Sequence, residues 1–191
     1  LLVLVSLFQA AGQKVSPQSD ARKINGKSAD GNSVEILASK ESVSQAFAKY
    51  LKDIGKTKTS SGVIAITSPM IGGTTWEKMV VYGQLTGDMT RTVAWLGLCK
   101  EEWPDRDTDA LIQQMRDLVY QFGVKYYRDQ IQLEIDKTQT AVDAADKKIL
   151  RLTSQGKDLA QKLVDNEADK IKLEKALELN VSNHTMLTDR K

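Results

Sequence analysis

The chain has 191 residues, of which 27 are basic, 25 acidic and 41% hydrophobic, with a formal net charge of +2. That apolar content is too high for a disordered chain, and charges so evenly matched provide no field to hold nucleic acid or an anionic membrane surface. The single cysteine, Cys99, excludes an intrachain disulfide, and the single histidine, His184, leaves too few ligands for a four-ligand Cys/His zinc site.

The opening LLVLVSLFQAAGQ is an apolar run, Leu1 to Phe8, followed by the small residues Ala10, Ala11 and Gly12. A bilayer span needs about 20 apolar residues, so the run reads instead as the h-region of a signal peptide over residues 1–12, cleaved after Gly12. No initiator Met or basic n-region precedes it, so the peptide reads as truncated. An ordinary buried strand or helix is the plainer alternative. No cysteine follows the run, which argues against a bacterial lipid anchor. The expected product is exported, periplasmic or extracellular, with no stable membrane span after cleavage.

Residues 13–31 are polar and hold Pro17, Gly26 and Gly31, and read as a linker with little structure. Within them, ARKINGKS looks like a phosphate-binding loop, but Ala21 stands where the first glycine is needed and no apolar strand precedes it.

From 32 to 127 the pattern predicts an α+β domain. NSVEILA alternates, suggesting a strand near 32–38. In the next segment Val43, Phe47, Tyr50, Leu51 and Ile54 fall on one face of a helix that Ser39 caps and Gly55 ends. Strands follow at 62–68, 78–85 and 91–98, the last two joined through the turn signal Gly87-Asp88. A second helix presents Leu111, Met115, Leu118, Val119 and Phe122. The expected order is β-α-β-β-β-α, a small antiparallel sheet covered on one face, with Val81, Val93 and Trp95 or their neighbours supplying core.

Candidate sites in this domain are few. Asp105, Asp107 and Asp109 alternate as in a calcium loop, but Ala110 replaces the turn glycine and Arg116 the final glutamate. Carboxylates at a helix N-terminus account for them better. Trp76, Trp95 and Trp103, with Tyr82, Tyr126 and Tyr127, could line a ligand-binding face; core packing is the commoner use of such aromatics. Glu101 and Glu102, adjacent on an extended segment, would point to opposite faces. His184 lies in the terminal segment, away from any predicted pocket. No catalytic, cofactor-binding or metal residues are assigned. Asn180 and Asn183 match glycosylation sequons, which matters only in a host that glycosylates secreted proteins.

From Ile131, apolar residues recur in heptads within a segment expected at 128–191. Position a holds Ile135, Val142, Ile149, Gly156, Leu163, Lys170 and Leu177; position d holds Ile131, Thr138, Ala145, Leu152, Leu159, Asn166 and Leu173. Such a stripe is buried only against another helix. Unbroken over 131–180, this helix would be roughly 75 Å long at about 1.5 Å per residue. Gly156 permits either a continuous helix or an αL turn into an intrachain hairpin. The heptad phase continues across it, from Leu152 to Leu159, which a hairpin has no reason to preserve. The expected oligomerisation seam is Ile135, Val142, Ile149, Leu152, Leu159, Leu163, Leu173 and Leu177, and its partner is another copy or another helical protein. β-branched residues at a with Leu at d lean towards a parallel dimer. Lys162 and Glu167 would attract across it while Asp169 and Glu174 would repel, so orientation and strand number stay open; Asn166 and Lys170 in the seam weaken it and can fix register.

The combination of AAGQK after the apolar start, VYGQLTGD…TVAWLGL, and YQFGVKYYRDQI leading into heptads resembles uncharacterised exported α+β/coiled-coil proteins of Bacteroidota-type bacteria. The resemblance implies the periplasm or beyond, and carries no activity and no functional residues. The lead expectation is a non-enzymatic envelope scaffold with an α+β head on an oligomerising coiled coil. The alternative is a binding module holding a small ligand, glycan or peptide near its tryptophan-containing hairpin.

Overall fold

A computed structural model of the chain describes residues 14–103 and 107–189. The signal segment expected at 1–12 lies outside them. The elements are β1 (Gln18–Ile24), β2 (Lys27–Ile36), α1 (Lys40–Ile54), β3 (Lys56–Ser60), β4 (Val63–Thr67), a short pair β5 (Met70–Ile71) and β6 (Thr74–Thr75), β7 (Val80–Gly87), β8 (Thr92–Leu98) and α2 (Thr108–Thr188). The fold is α+β: a six-stranded antiparallel sheet, ordered β1-β2-β8-β7-β4-β3, followed by one long C-terminal helix. The chain divides into two units, one ending at Gln132 and one beginning at Leu133.

Residues 18–31, expected to be an unstructured linker, form β1 and the start of β2. The expectation failed because β1 is an edge strand. Its fold rests on main-chain pairing with β2, from Gln18 opposite Ser33 to Ile24 opposite Lys27, so its side chains need not be apolar. The segment read as a defective phosphate loop is the tip of this hairpin. Asn25 and Gly26 both take positive φ, 51° and 84°, as a two-residue hairpin turn demands.

Successive residues of a strand point to opposite faces of the sheet. On one face, Val34 and Ile36 of β2, Ile66 of β4, Val81 of β7, and Ala94, Leu96 and Leu98 of β8 join the main core. Val43, Phe47, Leu51 and Ile54 of α1 close it, as their spacing predicts. Ser39 caps α1, its Oγ accepting from the Ser42 N–H at 3.3 Å. Gly55 ends α1 with extended backbone at φ 179°. Glycine is needed there for space, since a Cβ would sit 2.9 Å from Ile66 Cγ2 and 3.0 Å from the Thr67 carbonyl.

The opening turns of α2 complete the core with Leu111, Met115, Val119, Phe122 and Tyr126. Phe122 meets Phe47 with ring centroids 4.8 Å apart. Two polar ties fix the helix further. Buried Asn32 donates its Nδ2 to the Ile112 carbonyl at 2.7 Å, and the Tyr50 hydroxyl donates to the Leu118 carbonyl at 3.0 Å. Asp107 accepts from the N–H groups of Asp109 and Ala110 at 3.1 and 3.4 Å, so it caps the helix start. Asp105 lies outside the described residues.

The opposite face holds a second, smaller core of Ile24, Ala29, Trp95 and Cys99. Val93, expected in the core, is only half-buried. The second helix and the heptad segment, expected as separate elements, are one continuous α2 that passes through Gly156 without a break.

Candidate functional site

The three tryptophans do not share a face. Trp95 is fully buried in the second core, its indole N–H donating to the Asp20 carbonyl at 2.8 Å while the Arg22 guanidinium lies 5.4 Å from its ring centroid. Trp76 and Trp103 are partly buried and pack against the main core, on the other side of the sheet. The Trp76 indole donates to the Ile71 carbonyl at 3.3 Å. A cavity of about 290 Å³ opens elsewhere, lined among others by Lys14, Ser16, Ser33, Glu35, Val93 and Tyr127, and none of the three tryptophans borders it.

A cluster around Glu102 that sequence reasoning missed is better formed. Glu101 and Glu102 lie in a 3₁₀ turn, not on a strand. Glu102 takes a 2.8 Å ion pair from Lys27, and the Tyr82 hydroxyl donates to it at 3.3 Å. Burial, then the nearby Glu102 charge, pushes the Tyr82 phenol up to about 12. Burial also pushes the Cys99 thiol up, with Glu102 adding to the shift. A thiol held protonated is a poor nucleophile and a poor metal ligand. The cluster therefore acts as a clasp, fastening the tip of the β1–β2 hairpin to the segment after β8. Among the described residues, no group of three or more His, Cys, Asp or Glu side chains is placed to hold a metal ion.

The heptad seam is the other candidate. Ile135, Val142, Ile149, Leu152, Leu159, Leu163, Leu173 and Leu177 all lie on the second unit and are 47–71% exposed. The helix that presents them, residues 133–188, is about 84 Å long at about 1.5 Å per residue. It is supported along its surface by local pairs such as Lys137–Glu134 at 2.7 Å and Lys172–Asp169 at 2.9 Å. Exposed pairs of this kind contribute only about 0.3–0.5 kcal/mol each, far too little to hold so long a helix unaided. No described helix is long and apolar enough to cross a membrane.

Between 149 and 173, three further large apolar residues lie outside the a/d stripe: Leu150, Val164 and Ile171, also exposed. They share heptad position b and widen the apolar face between 149 and 173. The heptad reading, confined to a and d, missed them. A Cβ added at Gly156 would meet nothing within 4 Å, so no packing requires glycine there in the single chain.

No family model, curated protein or solved structure matches this chain.

Proposed function

We propose that the protein is a non-enzymatic, exported scaffold or interaction protein of the cell envelope that assembles through its C-terminal coiled coil. The observation that supports this reading is the eight-residue seam, 47–71% exposed along an unbroken helix. Each Å² of apolar surface removed from water is worth about 25 cal/mol, and a stripe with a 3.5-residue period gains that burial along its whole length only from another helix.

The occupant proposed is a second copy of this chain. Over residues 133–191, basic and acidic side chains are equal in number, 11 each, so identical helices carry no net charge to keep them apart. The other candidate, a different helical protein, is separated from it by the assembly state of the purified chain.

Export rests on the apolar opening with its small-residue cleavage site and on the resemblance to exported proteins. The chain can be expressed in bacteria behind an initiator Met and two lysines. A product cleaved after Gly12 and recovered from the periplasm is the expected result; uncleaved protein in the cytoplasm counts against export. Assembly is tested by placing glutamates in the seam. The Leu152→Glu, Leu159→Glu double variant should elute as a single chain where the parent elutes as an assembly. The alternative, a ligand, glycan or peptide site on a tryptophan face, is left without a face that the three indoles share.

A further inference from the structure

We infer that the assembled helices run parallel and in register, aligned by a polar node at Asn166 and Lys170; the inference rests on the assembly proposed above and concerns direction and alignment, not copy number. Both residues sit in the seam, Asn166 at d and Lys170 at a, within about one turn of each other. They interrupt an otherwise apolar C-terminal half, so burying the seam buries them. A buried polar group persists only with a partner. The question is which alignment supplies one.

In a parallel, in-register assembly, each seam residue faces its own copy. Asn166 then meets Asn166 of the next helix, and an amide offers both donors and an acceptor to its twin. Lys170 then faces Lys170 of the neighbour, and the two ammonium groups are neutralised by the carboxylates beside them, Asp169 at position g and Glu167 and Glu174 at position e. This changes the meaning of the Asp169–Glu174 repulsion expected across a parallel pair. The two carboxylates flank the layer that holds Lys170, and its ammonium lies between them. One heptad earlier, Lys162 at g faces Glu167 at e, an attraction. In the single chain Lys170 already leans toward Glu167 at 3.7 Å, and Asp169, Glu174 and Asn166 surround the groove beside it.

The antiparallel alignment that overlaps the whole stripe from 131 to 177 places the same residues badly. Asn166 faces Val142, Lys170 faces Thr138, and Lys148 faces Lys162 twice over. Its one advantage is steric, since Gly156 meets Leu152 and Ala145 meets Leu163. That filling of space does not compensate for a buried amide opposite valine and two cation pairs in contact.

The test is a distance between spin labels on the full chain carrying Lys175→Cys. Position 175 is exposed on the outer side of the helix, and Cys99 is 1% exposed and escapes the label. Parallel helices bring the two labels to about 20–25 Å, two helix diameters, plus the label arms. The antiparallel alignment separates them along the axis by about 63 Å, 42 residues at about 1.5 Å each. The short distance is the expected result. The long one overturns this inference while leaving assembly intact. A chain that shows no intermolecular distance and scatters light as a monomer overturns both. Asn166→Leu adds a second readout. It should raise the melting temperature yet broaden the distance distribution, and an unchanged single short distance would remove Asn166 from the aligning role.

Discussion

The indole of Trp95 on β8 donates a 2.8 Å hydrogen bond to the backbone carbonyl of Asp20 on β1, two strands away in the sheet order. The edge strand therefore leans over the outer face, where Arg22 bonds to Gln84 of β7 at 3.1 Å as well as lying over the Trp95 ring. Gly97 makes room for this arrangement, because a Cβ there would run into the indole. Trp95→Phe removes the donor and shrinks the indole to a phenyl ring. It should destabilise the head by about 1–3 kcal/mol, from the lost hydrogen bond and the volume left unfilled, and speed amide exchange in 18–24 more than in β7. Unchanged stability in a urea titration would show that the hydrogen bond contributes nothing.

The two glycines of α2 should respond to alanine with opposite signs. At Gly156 nothing lies within 4 Å, so Gly156→Ala removes a helix-interior glycine and should stabilise by about 1 kcal/mol per chain. At Gly123 the new Cβ would lie 2.7 Å from Val15 Cγ1 and 3.3 Å from Val34 Cγ2. Overpacking typically costs about 1–3 kcal/mol, which exceeds the helix gain, so Gly123→Ala should destabilise by about 1 kcal/mol. Thermal melts followed by circular dichroism check both, and equal signs would contradict the packing described for Gly123.

Phe122 joins the two helices. It packs against Phe47 at 4.8 Å, Tyr50 at 5.4 Å and Tyr126 at 6.4 Å, and is 1% exposed. Phe122→Ala should cost about 3–5 kcal/mol. Near-ultraviolet circular dichroism should lose its aromatic signal before far-ultraviolet ellipticity falls. A loss under about 1 kcal/mol would mean that α2 is not fastened to the head through this ring.

Two phenols give the head an alkaline limit. Burial, with Asp53 nearby, pushes Tyr50 up to about 12, and burial with Glu102 does the same for Tyr82. A folded-state value raised above the unfolded one of about 10 means that folding retains the protons. Stability from these groups is fully present below about pH 10 and is lost as pH rises through about 12. Urea midpoints should be flat with respect to these two groups up to about pH 10 and fall beyond it, with Tyr82→Phe reducing the fall. Tyrosinate absorbance developing fully by about pH 11 in the folded protein would contradict both shifts.

The elements that could be read from the sequence are those with apolar residues at a helical period, in alternation or in a short continuous run. α1 shows its face through Val43, Phe47, Leu51 and Ile54, all buried, and the strands near 32–38, 62–68, 78–85 and 91–98 correspond to β2, β4, β7 and β8. The short pair β5–β6 was missed, and the strands missed in the main sheet, β1 and β3, are its two edges. QSDARKI and KTKTS carry polar side chains because an edge strand needs only main-chain pairing, and lysine there discourages pairing with another chain. The Asn25-Gly26 turn was the available signal for β1, a two-residue hairpin signature hidden by the polar residues around it. The tryptophan face was not legible for the opposite reason. β8 is buried on both sides, so TVAWLGL shows no alternation, and nothing in the run indicates which of its two faces meets the main core. The long helix was legible because its apolar residues recur at a helical period.

The central claim is that this seam is covered by another copy of the chain, and the solution mass tests it most directly. Light scattering coupled to size exclusion, run across a hundredfold range of concentration, should give at least twice the 21.2 kDa of one chain, with the Leu152→Glu, Leu159→Glu variant falling to 21.2 kDa. A mass of 21.2 kDa for the parent chain at every concentration would contradict the account.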